Sequence, residues 1–522
     1  MRSFSTLSRR SPITNPFKHP PAQHLLDEMP HRDAHAPRLN ALLSAHVRNN
    51  HPTSALLLFL HMHRHNIPLD GFTFNPVLSA CPTLPAAGFR LGYQLHSLMF
   101  KRGCLSEPIP ATSLLNMYSK CGFFDDAVNV FDEMPERDVV SWNALLSCYI
   151  HHGHSQLTIN AFFSMVQTGI EFTGFTLSTV LTACSSSRSL VQGLQLHALA
   201  FIFGYHNSLV IATSLIDLYS SCGMITQAMQ VFTGLNSPKD TAMRNALITG
   251  LVQSQKYDDA FALFAQTTPN AVAFTSVLTA CSDLLNLEHG KQIHCTALRR
   301  DFTSDTILCN VLVRIYAKCG DIHSAHSTFV MIDNKDVISW TSIIDAYGSQ
   351  GCGLEALNLF KEMESEGSVL PNAVTFISVL SACGHSGLID EGIKYFNVMK
   401  NKYGIDPEAE HYACLIDMLG KGGRIEEAWE VYGGVVKEGK LSSGVCVAML
   451  NGCKVCMDLR RGEIVAKHMM ELGDEDKAGV YVLLSNFYAG IGRWKGAEEV
   501  RKVMEDRGLR KEVGSSVIAI CW

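Results

Sequence analysis

No stretch of this chain is apolar for long enough to cross a bilayer. Its densest hydrophobic patch, Ala55 to Leu60, soon meets His61, His63 and Arg64, far short of the ~20 residues a spanning helix needs. An excess of positive charge is missing too: 43 Lys and Arg stand against 49 Asp and Glu, for a formal net charge of −6. A protein that held nucleic acid through a broad basic face would be basic overall. Any such contact must therefore come from particular positions. Charged residues make up only 18% of the 522 and hydrophobic ones 47%, which excludes a largely disordered chain. The length excludes one compact core and leaves several domains or an extended array.

Catalytic signatures are equally scarce. The sequence contains no His-x-Glu, so a zinc deaminase would lack both its metal-binding His and its proton-shuttling Glu. The one Cys-x-x-Cys, Cys453 to Cys456, has no upstream partner and reads as helix packing rather than as a metal site. No Gly-x-Ser-x-Gly elbow, His-Glu-x-x-His or phosphate-cradling glycine loop occurs. The histidine clusters at 61–65 and 151–154 read as helix ends and turns. The chain is expected to be no enzyme and to carry no metal or cofactor. The first residues hold Arg2, Arg9, Arg10 and Lys18 with no acid before Asp27, and without the long apolar core of a secretory signal. That composition predicts an organellar transit peptide over residues 1–21.

Repetition is what the chain has in abundance. Cys81, Cys184, Cys281 and Cys383 each end a Val-Leu-Ser/Thr-Ala-Cys phrase, at a period near 100 residues. Tyr118, Tyr219 and Tyr316 recur at the same period, in MYSKCG, LYSSCG and IYAKCG. Cysteines fixed to a repeat phase read as small buried packing residues in a reducing compartment rather than as disulfides. A third phrase, VFDEMPERDVVSWNALL from Val130 to Leu146, joins an acidic helix end to a new amphipathic segment. It returns in part at Leu25 to Asp33 and at Met331 to Ile344. Each period divides into three pieces of two helices each, such as Asn143–Ile150 followed by Thr158–Met165. Units of this size mark an α-solenoid, and Pro135, Pro371 and Pro407 at the seams suit helix ends.

On these phrases, together with LEHGKQIH at Leu287 to His294, the chain resembles a pentatricopeptide repeat protein of the PLS subfamily with an E-type extension. The resemblance implies an all-α, right-handed α-solenoid superhelix of helix-turn-helix repeats. In its register about twelve units fill residues 22–440, among them 36–70, 71–107, 108–138, 139–173, 174–208 and 209–240. A unit shortened by about five residues follows at 241–270, then 271–305, 306–336, 337–372, 373–408 and 409–440. Residues 441–522 resemble the E extension, after which related proteins often continue into a deaminase-like DYW domain.

The same resemblance implies that the fifth and last residues of each unit read one RNA base. Thr or Ser at the fifth place goes with purines and Asn with pyrimidines. Asp at the last place goes with G and U, Asn with A and C. Carried over, Asn40 with Asp70 reads U, Thr112 with Asp138 reads G, and Asn143 with Thr173 reads a pyrimidine. Thr213 with Asp240 reads G, Asn245 with Asn270 a pyrimidine, Asn310 with Asp336 U, and Thr341 with Asn372 A. Thr275 and Asp305 fall in a longer unit where the code is looser, and four further units match no entry of the code and stay unread. Apolar residues at the second place (Val140, Val210, Val272, Ile338) would wedge between bases. A plainer reading of the polar residues is helix capping, for which Asn, Thr and Asp are favoured in any protein.

By resemblance, the expected function is sequence-specific binding of single-stranded organellar RNA, in the mitochondrion or alternatively the chloroplast. It would designate sites for C-to-U editing by a deaminase supplied in trans and recruited through the extension. The predicted element is 5′-U-N-G-Y-N-G-Y-N-U-A-N-N-N-N-N-C-3′, with the last C as target. The alternatives are an RNA stability, processing or splicing factor without an editing role, and a solenoid scaffold for other proteins.

Overall fold

The structure, a computed structural model, describes residues 36–84, 87–235, 238–472 and 478–509. The expected targeting segment and the first seam, Leu25 to Asp33, lie outside the described residues. Among those described, 28 α-helices and four short 3-10 turns make up all the regular structure, and there is no strand. The helices alternate in role. Within each of the two bodies described below, first helices, such as Val139–His151, Gly174–Ser186 and Leu209–Ser221, pack on the first helices of the neighbouring units, while second helices contact the first helices beside them.

Sequence dictates this division of labour. Helix Leu209–Ser221 is apolar nearly all round and buries Ile211, Ala212, Leu215, Ile216, Leu218 and Tyr219 together with two serines. A helix with that pattern must be covered on several sides. Its second-helix partner, Ile225–Gly234, buries only Ile225 and Ala228 and so occupies an outer layer.

The seam phrase folds into a compact joint. Phe131, at the end of one helix, meets Trp142 of the next edge-on at 4.8 Å. The Arg137 guanidinium lies 4.7 Å over the Phe131 ring and donates to the Phe131 and Asp132 carbonyls at 3.2 and 2.9 Å. One cation thus covers an aromatic face and satisfies carbonyls left unpaired by the helix end. The joint recurs with Phe329 and Trp340 at 4.9 Å. There Lys335 lies over the Phe329 ring and donates to the Ile332 carbonyl at 2.9 Å.

The chain divides into two compact bodies, residues 1–256 and 257–522, and the division falls inside the shortened unit 241–270. The second helices of the full-length counterparts, Pro52–Arg64, Ser155–Gln167 and Gly353–Glu366, have 13 or 14 residues and bury Met62, Met165 and Met363 near their ends. Helix Tyr257–Ala265 has 9 residues and buries Ala260 alone. Losing the last turn removes the apolar anchor that the other units carry.

The repeated cysteines and tyrosines have different tasks. Cys81, Cys184, Cys281 and Cys383 are fully buried, and burial pushes each thiol up to about 12. They are held as inert thiols. The tyrosines bond to histidines of the preceding second helix: His96 with Tyr118 at 2.9 Å, His197 with Tyr219 at 2.6 Å and His294 with Tyr316 at 2.8 Å. Burial holds all three imidazoles below their ordinary value of 6.5. The unfolded chain therefore binds more protons than the folded one at pH values just under 6.5. Stability is intact above that pH and is lost as the pH falls through the depressed folded values. The melting temperature is expected to drop between about pH 7 and pH 5.5, and His96→Gln, His197→Gln and His294→Gln together should flatten that limb. An unchanged slope in the triple variant would assign the acid lability elsewhere.

Candidate nucleic-acid interface

Every unit boundary places a polar side chain at the N-terminus of the next first helix, where backbone N–H groups lack intrahelical partners. Thr73 N donates to Asp70 Oδ1 at 2.9 Å, Ser141 N to Asp138 Oδ1 at 2.8 Å and Met243 N to Asp240 Oδ1 at 2.8 Å. Asp336 accepts likewise from Ser339 at 2.7 Å, Asn372 from Thr375 at 3.0 Å, Asn270 from Ala273 at 3.1 Å and Thr173 from Thr176 at 3.3 Å. The capping reading is therefore correct for all seven last-place residues. Each such cap contributes about 1 kcal/mol.

Capping does not use up these side chains. Asn40 Nδ2 donates to Asp70 Oδ1 at 3.1 Å, and Asn310 Nδ2 donates to Asp336 Oδ1 at 3.2 Å. In these two units the fifth and last residues meet directly. Burial opposes ionisation of Asp336, but hydrogen bonds from Ser339, Asn310 and Ile338 outweigh it and hold the carboxyl below the usual carboxylate range. A fixed carboxylate suits the imino N–H that uracil and guanine present, as an acceptor facing a donor.

In three further units the fifth residue bonds to other groups. Asn143 Oδ1 accepts from Thr176 Oγ1 at 2.7 Å, and Thr341 shares a hydrogen bond with Thr375 at 2.9 Å. Both partners are third residues of the following unit, next to Thr173 and Asn372. Thr213 turns its hydroxyl back onto the Leu209 carbonyl at 2.9 Å. Asn245 is nearly buried in the first body, and Asn270 caps a helix of the second. Thr112 Oγ1 and Asn310 Oδ1 are buried without a hydrogen-bond partner. Leaving such an atom unsatisfied costs on the order of 1–3 kcal/mol, which a bound group could recover.

In both bodies the second place of the first helices is apolar and open to solvent. Val140, Val210, Val272 and Ile338 are there as expected, joined by Phe72, Ile109, Phe175, Ile307 and Val374, all 52% to 71% exposed. The five additional residues share the phase of the four named from sequence, so counting from the caps would have found them. Positions 2, 5, 9 and 13 of a helix lie on one face. At the thirteenth place stand Arg48, Lys120, Lys318 and Lys421, exposed at the helix ends. Those cations favour the negative helix terminus, and Lys318 and Lys421 already pair with Asp283 and Asp417 at 3.3 and 2.6 Å. In each body the first helices thus offer apolar contacts, polar pairs and a few cations, of which Lys318 is paired with an acid at the same place of the preceding first helix. Such helices can stack flat rings, match hydrogen bonds at the ring edges and touch phosphates.

Comparison with known proteins matches the described pattern. The E motif matches residues 457–519. The PPR repeat matches 39–67, 111–139, 140–170, 210–235, 242–266, 307–337, 374–403 and 410–439, and the PPR repeat family matches 335–385. The mitochondrial pentatricopeptide repeat-containing protein At5g66500 of Arabidopsis thaliana is 44% identical over 499 residues, covering 95% of this chain and 93% of its own. The chloroplastic protein At1g11290 of the same plant is 33% identical, covering 96% of this chain and 61% of its own. Among solved structures, the pentatricopeptide repeat protein PPR10 in complex with an 18-nt psaJ RNA element shares the fold. Its TM-score is 0.52 at 18% identity, over 94% of this chain and 87% of that one.

Proposed function

This chain belongs to the pentatricopeptide repeat family, and on that premise we propose that it binds single-stranded RNA in a plant organelle, one base per unit, in a sequence-specific way. The observation that carries the reading is the alignment on one first-helix face of exposed apolar second-place residues with polar pairs at the fifth and last places. Nothing in the packing of the helices requires Val140 or Ile307 in solvent, whereas bases stacked between such side chains would cover them. The pairs assigned to this role are those named from the sequence, Asn40/Asp70 through Thr341/Asn372, carried by an array over residues 22–440 with an extension over 441–522. Relatives named mitochondrial and chloroplastic support an organelle and leave both compartments open.

RNA binding itself is the part of this reading supported most directly, because the solved structure of like fold carries an RNA element, and protecting, processing or splicing a transcript asks no more of the chain than such binding. A finer reading, selection of cytidines for editing by a deaminase acting in trans, is favoured by the E motif at 457–519. Sequencing organellar RNA from plants lacking the protein separates the two. Altered transcript ends or introns with editing intact support the first. Loss of C-to-U conversion downstream of sequences matching the predicted element supports the second. If neither changes and the purified chain shows no salt-dependent RNA affinity, a protein scaffold takes their place.

A further inference from the structure

The second helix Leu190–Ile202 presents to solvent a broader apolar face than its sister helices, which expose Tyr93 and Phe100 in one and Leu298 in the other. Val191, Leu194, Phe201 and Ile202, followed by Phe203, are 49% to 72% exposed, and Ala198 is exposed between them. Their spacing forms one stripe along the helix. From Ser189 to Ile216 the chain contains no Asp, Glu, Lys or Arg.

The repeat supplies its own control. The shared Gln-Leu/Ile-His phrase aligns Gln195–His197 with Gln94–His96 and Gln292–His294. In that register Ile202 and Phe203 correspond to Lys101 and Arg102 in one sister helix and to Arg299 and Arg300 in another. Leu194 corresponds to Lys291. The fold therefore tolerates charge at places 194, 202 and 203, so the repeat does not itself require apolar residues there, while place 201 is apolar in all three helices (Phe100, Phe201 and Leu298).

We propose that this face is a self-association surface, on which helix Leu190–Ile202 packs against the same helix of a second copy of the chain. Three observations favour a second copy. A two-fold contact sets each residue near its own equivalent, so a face bearing Lys101 and Arg102 would repel itself, whereas this one carries no charge. Phe203 is held in place by Phe172 at 4.7 Å, which in turn rests on Phe162 at 5.5 Å, so the rim is preorganised by the core beneath it. The exposed portions of the five side chains amount to on the order of 600 Å² per copy. Pairing two copies would remove about 1,200 Å², the lower edge of specific protein interfaces.

Sedimentation velocity of the full chain without RNA tests this across a wide range of concentration. The wild-type chain is expected to pass from monomer to dimer as concentration rises. Ile202→Lys with Phe203→Arg, which installs the sister residues, should weaken dimerisation by about a hundredfold or more. Leu194→Lys should do the same from the other end of the stripe, and it decides alone if the double variant does not fold. Circular dichroism melting establishes that the variants are folded. A wild-type chain that stays monomeric throughout, or variants that melt like wild type and still dimerise, overturn the proposal.

Discussion

An RNA carrying the predicted bases is expected to bind the full chain at least about a hundredfold more tightly than a scramble of the same composition. The scramble mismatches several pairs at once, and each mispaired edge costs on the order of 1–3 kcal/mol. A single-unit exchange tests the assignment more sharply. Asn310→Thr leaves Asp336 in place and converts an Asn/Asp pair into the Thr/Asp combination assigned to G. Preference at that base should move from U towards G by about tenfold or more, while preferences at the other bases stay put. The same substitution removes the Asn310–Asp336 hydrogen bond, 3.2 Å long, so a melting curve must accompany the binding data. Equal affinity for the element and its scramble would falsify the base assignments, whatever the overall affinity.

The largest effect on stability is expected at Gly420, in helix Ala409–Lys421. A Cβ there would sit 2.6 Å from the Gly452 Cα, and one on Gly452 would sit 3.0 Å from the Gly420 Cα. Two helix backbones touch at this point, Gly452 lying in helix Ser443–Val455, and a backbone cannot swing aside as a side chain can. Gly420→Leu should cost about 3 kcal/mol or more. Because each repeat contacts mainly its neighbours, the loss should first appear as local opening over residues 409–455. Hydrogen exchange would detect it. Gly433, on the outer helix Ile425–Lys437, has open space where a Cβ would go, so Gly433→Ala should instead stabilise by up to about 1 kcal/mol. If both substitutions proved neutral, the close helix contact would not be limiting stability.

Much of this was legible in the amino-acid string, because helix periodicity and turn chemistry are local. The seam phrase marked helix ends before Asp138 and Asp336, and helices Val139–His151 and Val337–Ser349 begin directly after them. The shortened unit was visible as missing residues. That compactness would divide there was not, since it depends on what a lost turn fails to bury. The choice between cap and base reader could not be made from residue types, as both roles select Asn, Asp and Thr. Only the geometry shows one oxygen, Asp70 Oδ1, accepting from the Thr73 backbone and from Asn40 together. The link from Asn143 to Thr176 was equally hidden, because it joins residues 33 apart across a boundary.

That boundary-crossing link bears on how such arrays can be lengthened or exchanged by recombination. A cassette cut at the structural repeat, residues 139–173, would carry Asn143 away from Thr176, which fixes its amide, and Thr173 away from the helix it caps. A cassette running from Trp142 to Thr176 keeps Asn143, Thr173 and Thr176 together. On the base-reading assignment proposed above, the unit that keeps a reading pair intact is therefore offset by three residues from the folding unit, and fusions made in the first frame would separate Asn143 from the side chain that fixes it.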